Sequence, residues 1–156
     1  MEIEYSEEED QYYSLITLKS LNQFKKGNRP LNDFICIDFF GFGDEPSKEQ
    51  LNAYKFLLEN EEKIFNSLII GAVNSYNSIY LKRFEKYIEF LPKITDTCDL
   101  KKAISIENII ISDNHKNDSS FIMFKGECNW DEEHGVCLVM LKDEFITMQS
   151  WDYHHR

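Results

Sequence analysis

The stretch SFIMFKGECNWDEEHGVCLVMLKDEFITMQSW, residues 120–151, decides the fold. Two short polar connections, Trp130–Gly135 and Lys142–Glu144, separate three apolar runs. Runs of this length, rich in β-branched and aromatic residues and broken by Gly and Asp, read as strands joined by reversals. Centring the first connection between Glu132 and Glu133 sets Cys128 opposite Cys137 and Phe124 opposite Leu141. Centring the second on Asp143–Glu144 sets Ile146 beside Leu141 and Met148 beside Val139. One face then collects Ile122, Phe124, Cys128, Cys137, Val139, Leu141, Ile146 and Met148, and a one-residue slip would turn a strand's share of it over. The expectation is a three-stranded antiparallel meander covered by helices.

Upstream, AISIENIIIS (103–112) reads as a strand and DNHKNDSS (113–120) as a polar turn with His115 exposed in it. KITDTCDLKK (93–102) reads as a connection. In DEPSKEQL (44–51), Ser47 and Gln50 have the spacing of a capping box, so a helix begins there, with Leu51, Tyr54 and Leu58 as its inner stripe, and weakens near Asn60. Ile64, Phe65, Leu68, Ile69, Ala72, Val73, Tyr76 and Tyr80 recur at helical intervals and predict a second core-facing helix, over by Pro92. YYSLITLK (12–19) and FICIDFFGF (34–42) read as strands on either side of the loop QFKKGNRPLND (23–33). Glu7–Asp10 is read as part of a solvated acidic lead-in, residues 1–10, and 151–156 as a C-terminal tail. With neither repeat nor linker, residues 1–156 form a single α+β domain: an antiparallel sheet, two helices on one face and a C-terminal β-meander.

The net charge is −11 and the pI about 4.8. Duplex nucleic acid is repelled by such a field, since its binding relies on Lys and Arg neutralising phosphates. A cationic protein is attracted. Lys82, Arg83, Lys86 and Lys93 read as a solvated helix face. No run approaches the roughly 20 apolar residues of a membrane span. The N-terminal residues lack a basic segment followed by an apolar run, and Cys36, Cys98, Cys128 and Cys137 show no C-x-x-C spacing. The expectation is therefore a cytoplasmic chain with reduced thiols, Cys128 and Cys137 serving as small buried hydrophobes.

Chemistry has one obvious home. Asp131, Glu132, Glu133 and His134 could bind a divalent metal or form an acid–base pair. They could equally be loop architecture, with Asp131 capping backbone N–H groups, Gly135 supplying a positive φ and Trp130 packing over the core's edge. GFGDEP (41–46) lacks the later Gly and the Lys-Ser/Thr pair of a phosphate loop, and no nucleophile elbow is present. Neither a cofactor nor a resident metal is expected.

GECNWDEEHGVCLVML (126–141) resembles the W-D-x-E-H-G signature near the C-terminus of a family of small, uncharacterised bacterial domains, with Trp130, Asp131, Glu133, His134 and Gly135 matching. EPSKEQLNAYKFLLENEEKIFNSLI (45–69) is similar to that family's helical P-S/T-x-E-Q segment. The resemblance covers roughly residues 30–150. Gly126 and Cys128 precede the signature as in many relatives, while Cys137-Leu138 stands where a Gly often follows. It implies a loose link to toxin–immunity systems. The leading reading is a non-enzymatic protein-binding domain, an immunity protein that blocks a cationic toxin, with Trp130, Asp131, Glu133 and His134 at the contact. The alternative is a metal-dependent or acid–base enzyme using Asp131, Glu133 and His134.

Overall fold

The computed structural model describes residues 2–151 and shows an α+β chain. Seven strands lie in one sheet in chain order: β1 (Glu4–Ser6), β2 (Gln11–Thr17), β3 (Phe34–Phe39), β4 (Asn108–Lys116), β5 (Ser119–Gly126), β6 (Val136–Leu141) and β7 (Glu144–Gln149). Every neighbouring pair is antiparallel except β3 and β4, which run parallel with Ile37 beside Ile109. A parallel pair needs a crossover. Here it contains α1 (Lys48–Glu59), α2 (Glu61–Ser75), the single turn α3 (Leu81–Arg83) and α4 (Thr97–Ala103). His154 and His155, in the expected C-terminal tail, lie outside the described residues.

The capping box forms: Ser47 Oγ accepts from Gln50 N–H and Gln50 Oε1 from Ser47 N–H. Gln50 does more than cap. Its amide Nε2 donates to the carbonyls of Phe40 (2.8 Å) and Ile111 (3.2 Å), tying the helix start to the exit of β3 and the middle of β4. That tether turns α1 so that Gln50, Ala53, Tyr54 and Leu57 are buried, while Leu51, expected inside, is exposed. In α2 the expected stripe holds, with Ile64, Phe65, Leu68, Ile69 and Ala72 buried. Gly71 gives α2 its close seat on the sheet: a Cβ there would fall inside the Phe145 ring of β7.

Two expected loops are structured. Residues 97–103, read as connection, form α4, whose N-cap Asp96 accepts from Asp99 N–H at 2.8 Å. Only Leu100 and Ala103 of this helix are buried, too few to show a period. Glu7–Asp10 is the turn of the β1–β2 hairpin rather than a lead-in, with Asp10 at φ 51°. Similarly, β4 and β5 extend into the polar stretch; the reversal is confined to Asn117-Asp118, Asn117 taking φ 59°. His115 is exposed as expected, but on the end of β4.

The register of the meander differs from the expectation. Phe124 faces Leu138 and Lys125 faces Cys137, so Cys128 has no counterpart on β6. The cause lies upstream. Past Gly126 the chain does not turn back but stays paired with residues 103–107: Ser105 N–H donates to Glu127 C=O (3.0 Å) and Asn129 N–H to Ala103 C=O (2.9 Å). Glu127–Gly135 is thus a long connection, not a tight hairpin. The displacement is odd, so it flips β6: Val136, Leu138 and Met140 join the helix-covered core, while Cys137 and Val139 cluster with Met123 on the other face. Cys128 and Cys137 are both buried and free, on opposite sides of the sheet. The β6–β7 turn is Lys142-Asp143, with Leu141 facing Glu144. A bulge after Val139 then places Met148 opposite Leu138 in the core and leaves Ile146 exposed.

Gly126 makes the whole arrangement possible. A Cβ at this position would stand 1.7 Å from the Ser105 carbonyl oxygen, and one at Gly135 (φ 67°) would stand 2.6 Å from the Gly126 carbonyl oxygen. Gly126→Ala and Gly135→Val should each lower stability by about 1–3 kcal/mol, through overpacking at the first and both overpacking and φ strain at the second. Thermal unfolding checks this, and an unchanged Tm in either variant contradicts the register described here.

Candidate functional site

The expected site loop meets the end of α2. There the helix widens into one π-helical turn, Tyr76–Tyr80, before α3. Such turns displace side chains from the regular helical path and often mark functional positions. Tyr76 and Tyr80 stack with their centroids 5.6 Å apart, Trp130 tilts against Tyr76 at 4.9 Å, and Phe84 closes on Tyr80 at 4.6 Å. Tyr80 OH donates to the Trp130 carbonyl at 3.1 Å, and Tyr76 OH to the Pro92 carbonyl at 2.5 Å. Trp130 is only 8% exposed, so it serves mainly as the floor of the loop.

Asp131 organises the turn that follows. Its Oδ1 accepts from His134 N–H at 3.0 Å and lies 3.0 Å from His134 Nδ1; its carbonyl accepts from Gly135 N–H at 2.9 Å. The His134 carbonyl accepts from Trp151 N–H at 3.0 Å, tying the loop to the chain beyond β7. His134 keeps a side chain 48% exposed. Glu133 is exposed and borders neither pocket described here. Glu132 points the other way, bordering a small polar pocket of about 300 Å³ with Lys26, Glu127 and Cys128. The fold therefore brings Asp131 and His134 together and leaves Glu133 apart. Among the described residues no three His, Cys, Asp or Glu side chains converge in a group that could hold a metal ion.

A groove of about 660 Å³ runs between the helix end and the sheet. One wall is Ser75, Ile79, Tyr80, Arg83 and Phe84; the other is the loop, from Trp130, Asp131, His134 and Gly135, continued by Thr147–Ser150. The volume suits a small molecule or a few residues of a peptide. Burial, reinforced by the charge of Asp131, pushes the Tyr80 phenol up to about 12, against the smaller opposing effect of Arg83. Burial also pushes Tyr76 and the Cys128 and Cys137 thiols up to about 12. Neither thiol offers a thiolate nucleophile at neutral pH.

The helical wall was not legible as site. Arg83 read as part of a solvated face and Tyr80 as core. A π-helical turn has no sequence signature, yet one cue was present. After Tyr80 the apolar residues Phe84, Tyr87, Ile88 and Leu91 keep a three- and four-residue spacing up to Pro92. In the structure the segment Glu85–Phe90 is two short 3₁₀ turns kinked at Tyr87 rather than α-helix, and Tyr87, Ile88 and Phe90 stay exposed, Phe90 at 77%.

A raised phenol pKa means that the folded state favours neutral Tyr80. Its contribution to stability is full below the unfolded value near 10 and is lost as pH climbs through about 12. In a spectrophotometric titration, Tyr80→Phe should remove ionisation amplitude near pH 12 and leave the phase near pH 10 unchanged. Loss of amplitude near pH 10 instead would place Tyr80 in water and disprove the buried stack.

No curated protein matches the chain, and no solved structure does. A family model spans nearly all of it, loop and helical wall included. By that match over residues 2–155, the chain belongs to the family described as Domain of unknown function (DUF6985).

Proposed function

We propose that this chain is a non-enzymatic protein-binding domain of the bacterial cytoplasm, an immunity protein that blocks a cationic toxin. The observation that carries the reading is the apolar surface beside the groove. Ile79, Phe84, Tyr87, Ile88 and Phe90 are exposed within one short segment, and the first two also line the groove. Exposed apolar and aromatic side chains gathered within one short segment are the usual core of a protein contact. The net charge of −11 supports a cationic partner through steering. Trp130, mostly buried, would hold the floor under the contact with Asp131 and His134 at its polar rim, and Glu133, exposed in the same loop, would join from outside the groove.

One observation favours a second reading. Asp131 and His134 form a carboxylate–imidazole pair at 3.0 Å on a groove wall, the arrangement of an acid–base catalyst. Glu133 takes no part in it. A binding rim needs the same pair only as loop architecture.

The two readings part in one experiment, co-expression with the product of the adjacent gene. The binding reading expects that product to be toxic and this chain to restore growth. Ile88→Asp should abolish rescue with little change in Tm, since the residue is already 52% exposed, and His134→Ala should retain most of it. A harmless neighbour, or rescue unaffected by Ile88→Asp, removes the support for immunity. A metal copurifying at one per untagged chain and lost in His134→Ala would favour the enzyme.

A further inference from the structure

β7 ends the sheet, and among the described residues no strand pairs with its far side. An edge strand presents N–H and C=O groups that a further strand can take up. The groove runs beside the end of β7. Thr147, Met148, Gln149 and Ser150 all border it. Side chains of consecutive strand residues point to opposite faces of a sheet. Four consecutive residues bordering one cavity place it along the β7 backbone and not against the side chains of one face alone. Gln149 also carries a buried Oε1 with no hydrogen-bond partner.

We propose that the groove takes a short, extended, basic segment of the partner protein, added to β7 as a further strand. Alternate apolar side chains of that segment rest on Tyr80, Phe84 and Met148, and Lys or Arg side chains at the intervening positions face solvent. This rests on the protein-binding reading and gives the partner's contact its chemistry. The volume of about 660 Å³ admits a few extended residues and not a folded domain. Main-chain hydrogen bonds along β7 supply affinity, and the aromatic wall selects the register.

Charge decides between occupants. A second copy of this chain would bring another net −11 to the same edge. Within the lining, Arg83 and Asp131 offset one another. The overall charge of −11, with Glu144 exposed at the start of β7, then favours a basic segment.

The test uses the full chain and a synthetic peptide of about eight residues alternating Lys with Val or Phe. It should bind and slow amide exchange at alternate residues of Glu144–Gln149. N-methylation of alternate peptide amides should weaken binding about tenfold in one phase and little in the other, because only one edge of the added strand pairs with β7. A scrambled peptide of the same composition should bind about tenfold more weakly. The proposal is overturned by absence of binding at millimolar peptide, by equal effects of the two methylation phases, or by binding that leaves β7 exchange unchanged. Protection of β7 that grows with protein concentration alone would name a second copy as occupant and overturn it too. If strand addition fails while Ile88→Asp still abolishes rescue, the immunity reading stands and only the groove's occupant is wrong.

Discussion

The structure turns on a place where three backbones pass with no room for a side chain. Gly126 lies under the Ser105 carbonyl, and Gly135 lies over the Gly126 carbonyl. Ser105 clasps the same point from both sides: its N–H donates to Glu127 C=O and its Oγ accepts from Glu127 N–H. This crossing holds the outgoing chain of β5 against residues 103–107 and delays its return into β6. From that delay follow the odd register, the burial of Val136, Leu138 and Met140 beneath the helices, and the displacement of Cys137 to the far face. The long loop Glu127–Gly135 is its geometric consequence.

Because the loop is long, it reaches the helices. Trp130 inserts beside Tyr76 and Tyr80 at the widened end of α2, and the Tyr80 hydroxyl closes the joint on the Trp130 carbonyl. One set of aromatic contacts thus finishes the core and forms a groove wall. Asp131 spends its hydrogen-bonding capacity within the turn, which is what a rigid rim requires. The Trp-to-Gly loop thus stands between two neighbours across the groove: the helical segment on one side and the strand β7 on the other.

Much of this was legible in local chemistry. The Ser47–Gln50 box, the stripe of α2, the alternation of β2 and the positive φ of Gly135 are each written within a few residues, and each forms. What could not be read arises from contacts distant in the chain. The β5–β6 register depends on Ser105, well upstream of the connection itself. The rotation of α1 depends on the Gln50 amide finding carbonyls on two neighbouring strands, just past the end of β3 and midway along β4. Within the site, the Asp131–His134 pair follows from i, i+3 spacing in a turn, whereas Arg83 and Phe84 reach the groove through a change of helical winding that no residue pattern announces.

The single parallel seam between β3 and β4 governs how the chain assembles. β1–β3 and β4–β7 are each made of neighbours in sequence and can zip up locally, but Ile37 must find Ile109 across roughly seventy residues of intervening chain. Closing a loop of that size before its contacts exist is an entropic barrier. Gln50 bridges the finished seam, its amide gripping the Phe40 and Ile111 carbonyls of the two half-sheets together. The sheet is accordingly two sequence-local ribbons that meet at one seam, with the first turn of α1 as the clasp across it.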